Sequence, residues 1–128
     1  MRKDSLHPPH WFRIAEGDLQ RARTLLALED LIGAGFNIQQ SMEKYLKGYL
    51  LSKGWALRRI HDLEALLDDA IAYEPSLEDF RAACQKSTEY YLEERYPGTP
   101  ESELRREEMQ ESLASAEGLI EKIKALLG

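Results

Sequence analysis

What the chain has little of bounds it first. A single cysteine, Cys84, stands among 128 residues. No intramolecular disulfide can form, and no second thiol completes a CxxC ligand pair. No apolar run approaches the roughly 18 residues that a membrane helix needs. Basic residues are outnumbered: 17 Lys and Arg against 23 Asp and Glu give a formal net charge of −6. That argues against a DNA- or RNA-coating protein, which presents a basic surface to phosphates, but leaves room for a local basic pocket. The opening MRKDSLHPPH has no apolar h-region, so it does not read as a secretory signal, and the expected location is cytoplasmic. There is no GxxxxGK[ST] loop, no GxGxxG and no HExxH. His7 and His10 flank Pro8 and Pro9 without a carboxylate scaffold, so neither a metal nor a cofactor is expected. Carboxylates are plentiful, but no catalytic pair stands out among them.

What is present fits one helix-rich domain, with 43% hydrophobic and 31% charged residues. Residues 1–10 are expected to form a flexible leader and residues 11–128 a single bundle. The stretch from Phe36 to Gly54 organises the rest. At about 100° per residue, Ile38, Met42, Tyr45, Leu46, Tyr49 and Leu50 share one arc, a seam for other helices. The opposite arc carries Asn37, Gln40, Ser41, Glu43, Lys44 and Lys47. It reads either as a solvated surface or as a face that meets a phosphate or a second subunit. Gln39 lies within the apolar arc, as a satisfied core amide or an interface residue. Glu29-Asp30 is the candidate cap at its start, and Gly54 suits a left-handed C-terminal cap.

The other helices follow from spacing and punctuation. Trp11 to Leu28 repeats apolar residues at three and four, with Trp11 as a core anchor and Ile14 facing inward. Gly17 interrupts this helix at a cost of about 1 kcal/mol against Ala, which suggests a close neighbouring helix. A short helix begins at His61 or Asp62 and turns Leu63, Leu66, Leu67 and Ile71 to the core. Ser76 with Asp79 reads as a weak capping box for a fourth helix, Leu77 to Glu94, whose inner face is Leu77, Phe80, Cys84, Ser87 and Tyr91. Thr99-Pro100-Glu101 is a helix start. The last helix runs to Leu127 on a stripe of Met109, Leu113, Ala116, Ile120, Ile123 and Leu127. The expected fold is all-α, an antiparallel up-and-down bundle of four main helices plus a short connecting helix.

Candidate chemistry gathers on a few residues. His61, at a helix N-terminus beside Arg58 and Arg59, could hold a phosphate or a partner's carboxylate; a plain capping role fits the same position. Arg95 suits the C-terminal dipole of its helix, or joins Tyr91 and Tyr96 as a planar donor with aromatic faces. If Lys44, Lys47, His61, Arg95 and Tyr91 converge, they form a nucleotide or phosphate site. Removing both lysines should then weaken binding while leaving stability nearly unchanged.

The motifs in this order resemble the HEPN family: Trp11, Ala15, Asp18, Leu19 and Ala22; then QQSMEKYLK with Gln40, Glu43, Lys44 and Lys47; then His61-Asp62-Leu63; then Arg95-Tyr96-Pro97. The resemblance spans about Trp11 to Leu126. It implies an antiparallel helical bundle, commonly dimeric, of the stand-alone kind often paired with a minimal nucleotidyltransferase in toxin–antitoxin-like modules. It implies binding of a nucleotide, an RNA or that partner. Ribonuclease members carry Arg, four to six residues, then His near the last helix. Here no His follows His61, so Arg105 and Arg106 lack that partner. Arg2 and His7 match the spacing only within the proline-backed leader. The sequence therefore favours a non-catalytic binding module. An RNA-cleaving toxin is the alternative, and a helical adaptor without a small ligand is a third reading. Apolar positions outside the core stripes, namely Phe36 and Leu51 with Leu104, Leu119 and Leu126, point to a homodimer interface that would include Gln40.

Overall fold

The computed structural model describes residues 5–58, 62–95 and 105–128, excepting the side chains of 89–95. Five α-helices and one 3-10 helix follow in order: α1 (Pro8–Ala27), α2 (Leu31–Ser52), α3 (Leu63–Ile71), a 3-10 turn (Pro75–Phe80), α4 (Arg81–Arg95) and α5 (Arg106–Leu127). No strand occurs among the described residues. The chain is all-α, as the periodicity predicts.

Cross-links fix the directions. Arg106 reaches Glu29, Arg23 reaches Glu117 and Lys124 reaches Glu16, so α5 runs antiparallel to α1. Lys86 faces Glu108, and Phe80 lies beside Gly118, so α4 runs antiparallel to α5. The short α1–α2 turn reverses the chain, and Asp18 meets Lys44 across it. α1, α2, α4 and α5 thus form an up-and-down bundle, with α3 as the connector. Helix α2 touches all four other helices. Its arc of Ile38, Met42, Tyr45, Leu46, Tyr49 and Leu50 is buried, joined by Leu19 of α1, Leu63, Leu66 and Leu67 of α3, Cys84 of α4 and Ile120 of α5.

Local chemistry sets the helix ends. Asp30 accepts from the Gly33 amide and caps α2, and Asp62 accepts from the Glu64 amide and caps α3. Gly54 takes φ +83° after α2, a conformation that glycine adopts without a steric penalty.

Several boundaries and faces differ from expectation. Helix α1 opens at Pro8, inside the expected leader, because proline at the first helical positions gives up an amide that needs no partner there. Ile14 is 44% exposed, whereas Phe12 turns inward against Tyr45, with ring centroids 4.9 Å apart. The close helix contact is not at Gly17, where a methyl would meet only the Arg21 guanidinium at 3.4 Å. It is at Gly48, where the Phe12 ring stands 2.5 Å from the position a Cβ would take. Only glycine leaves room for that ring. The start of the fourth segment is capped by Glu74, whose carboxylate accepts from the Ser76 amide and hydroxyl. Ser76 is therefore the donor and not the cap, and the first turns are 3-10. Arg105 is extended and α5 starts at Arg106; the start expected at Thr99–Glu101 lies outside the described residues. Along α5, Leu119 is fully buried while Leu127 is 41% exposed. The buried face keeps Met109, Ala116, Ile120 and Ile123 and adds Ser112 and Leu119, which removes Leu119 from the spare apolar surface. Leu126 also packs against the core, and Leu104 lies outside the described residues.

Candidate functional site

The polar arc of α2 is where the candidate residues fall, and it is not a solvated surface. Ser41, Glu43 and Lys47 are buried there, and Gln39 is buried beside them. Burial on this face works because each polar group finds a partner. Ser41 donates to the Ile38 carbonyl. Gln39 donates to Glu43 at 3.4 Å and accepts from Gln40 at 2.6 Å, so it is a satisfied core amide.

The two lysines are each held by a carboxylate. Lys44 Nζ lies 2.8 Å from Asp18 Oδ2 and 2.9 Å from Gln40 Oε1. Asp18 also accepts from Arg21 at 2.7 Å. Lys47 Nζ lies 3.3 Å from Glu43 Oε2, with only 5% of the lysine side chain exposed. The Trp11 ring covers it at 5.4 Å from the ring centroid, a cation–π contact strengthened by desolvation. Trp11 is itself fixed by donating Nε1 to the Ser5 carbonyl at 2.7 Å. Trp11 is thus half-buried, and its ring closes the polar layer.

Among the described residues the layer has almost no surplus charge: Asp18 and Glu43 balance Lys44 and Lys47, and Arg21, 61% exposed, adds a positive charge at the rim. A triphosphate needs several uncompensated donors, so this face as folded is a structural network with one cationic edge. The pairing of Lys44 with Asp18 and of Lys47 with Glu43 gives both lysines a structural part beside the binding role expected of them. His61 and the side chains of Tyr91 and Arg95 lie outside the described residues, so the structure brings together only Lys44 and Lys47 of the five expected phosphate ligands.

The three expected interface residues do line up. Phe36, Gln40 and Leu51 are all part-exposed, as are Lys44 and Asn37. At 100° per residue they fall within one arc of about 100°. This is the strip of α2 that the bundle leaves part-open. Sequence reasoning placed Glu43 on this arc and Asp18 and Trp11 among the motif residues, but paired none of them with the lysines. The i,i+4 spacing of Glu43 with Lys47 was a usable signal. The Asp18–Lys44 contact between helices had none.

Among the described residues, no helix is long and apolar enough to cross a membrane. Residues 9–126 match the family model of the HEPN domain. No curated protein and no solved structure matches the chain.

Proposed function

The chain belongs to the HEPN domain family, and from that premise we propose that it is a non-catalytic HEPN module that works by association, in a toxin–antitoxin-like role. The part-open strip of α2 is the contact face, first with a second copy of the chain and then, from the free side of that dimer, with a minimal nucleotidyltransferase. The observation that carries the reading is the composition of the strip. Phe36 and Leu51 supply apolar area, Gln40 and Lys44 supply polar groups at its centre, and the charges beneath are already paired. An interface of this kind gains from apolar burial without leaving a charge unpaired. Lys44, at 18% side-chain exposure, is the strip's own contact for an anionic group, a nucleotide phosphate or a partner carboxylate. Lys47 joins His61, Tyr91 and Arg95 in a nucleotide-sized site only if Trp11 swings away from it.

The absence of a histidine after His61 supports association over RNA cleavage, since cleavage needs an acid/base group at the 2′-hydroxyl. The purified chain incubated with total RNA should leave it intact. Cleavage that His61→Ala abolishes would make the ribonuclease reading the better one.

A further inference from the structure

The residues along the open side of α2 are spaced as a palindrome. Ile32 is the second residue of the helix and Leu51 the second from last. Phe36 is the sixth and Lys47 the sixth from last; Gln40 is the tenth and Glu43 the tenth from last. At 100° per residue all of them fall within one arc of about 100°. The midpoint of the pattern is the midpoint of the helix. We infer that two copies of the chain pair through α2 in antiparallel register about that midpoint. This pairing rests on the reading of the strip as a contact face and adds its direction and register.

A two-fold interface is self-complementary: where one residue meets a second, the second meets the first. Antiparallel helices satisfy that condition only if their contact residues mirror each other in spacing, and those of α2 do. At each end Ile32, 51% exposed, meets the partner's Leu51, apolar on apolar. Phe36 meets the level of the partner's Lys47. That level does not present a bare charge, because the Trp11 ring covers the ammonium at 5.4 Å from the ring centroid. An aromatic ring therefore faces an aromatic ring, a favourable contact when offset or edge-on. Gln40 meets the level of Glu43, which is buried beneath the strip. The two Gln40 amides are left at the centre as the polar groups that bond across the axis.

The neighbouring helix extends the match. Ile14, Leu28 and Ile32 are exposed large apolar side chains, and all three belong to the α1–α2 hairpin. Trp11 and Phe12 pack on Lys47 and Gly48, so the Leu51 end of the strip also carries the start of α1 with Ile14. The opposite end carries the turn with Leu28 and Ile32. Antiparallel pairing lays one end over the other and covers apolar surface that would otherwise face water. It also opposes the two α2 dipoles, whereas parallel pairing aligns them. Lys44 and Lys47 keep Asp18 and Glu43 as partners, so neither enters the interface as an unpaired charge.

The test uses the full chain as two variants, Ile32→Cys and Leu51→Cys, co-expressed with different tags and treated with a short bismaleimide. A cross-linked dimer holding one of each is expected. Either variant alone should give none, because its two thiols stand roughly 28 Å apart along the paired helices at 1.5 Å per residue. The native Cys84 is buried, and burial pushes its thiol up to about 12, so the parent chain serves as the blank. Light scattering on the same samples gives the assembly state. Cross-linking of Ile32→Cys alone means parallel pairing and overturns the register. So does the lack of a mixed product in a sample that scatters as a dimer, while the dimer itself stands. A sample that scatters as a monomer overturns both the register and the association on which it rests.

Discussion

Lys44 Nζ and Asp18 Oδ2 sit 2.8 Å apart, with 18% and 8% of their side chains exposed, and this pair ties the polar arc of α2 to α1. Asp18 serves Arg21 as well. Asp18→Asn keeps the shape and removes the charge from both contacts. It should cost about 1.5–3 kcal/mol, read from the urea midpoint at neutral pH. An unchanged midpoint would mean that the lysine is solvated in solution and that the layer is not structural.

The Glu43–Lys47 pair lies deeper, with 4% and 5% side-chain exposure. Removing one partner of such a pair typically costs about 3–5 kcal/mol. Lys47→Met should fall in that range. An unchanged urea midpoint for Lys47→Met would contradict this assignment.

The pH dependence follows from Glu16 and Tyr45. Burial pushes the Glu16 carboxyl up, but hydrogen bonds from Tyr45 and Lys124 outweigh it and hold the group below its ordinary value of 4.5. A lowered carboxylate contributes stability above the unfolded value and loses it as pH falls through the folded one. Burial, then the hydrogen bond to Glu16, raises the Tyr45 phenol above 10. The unfolded tyrosine therefore ionises first, and stability also falls as pH rises past that value. Tyr45→Phe removes one of the bonds that lower Glu16. Its melting temperature should fall less steeply than the parent's below about pH 4.5. Parallel acid limbs would rule out the link between the two groups.

The fold was legible where sequence encodes local physics. The apolar arc of α2, the helix starts at Glu29-Asp30 and His61-Asp62, and the glycine at Gly54 are read from spacing and residue type, and the structure gives the caps as Asp30 and Asp62. The polar arc was not, because periodicity reports which residues are polar and not whether another helix covers them. Asp18 neutralises Lys44 from 26 positions away, and no local pattern records that. No local pattern marks Gly48 as the place where the Phe12 ring packs. Leu119 was misplaced because a stripe carried on to Leu127 drifts off the buried face of a 22-residue helix. Of the candidate site, the alignment of Phe36, Gln40 and Leu51 on one strip was readable in advance. The pairing of Lys44 with Asp18 was not.

The most direct measurement is the solution mass of the chain and of a strip variant, by light scattering at micromolar concentration. The account predicts a dimer at twice the 14.7 kDa chain mass, and a monomer for Phe36→Asp/Leu51→Asp with an unchanged helical spectrum. A monomeric parent chain, or a variant that stays dimeric, would contradict assembly through the open strip of α2.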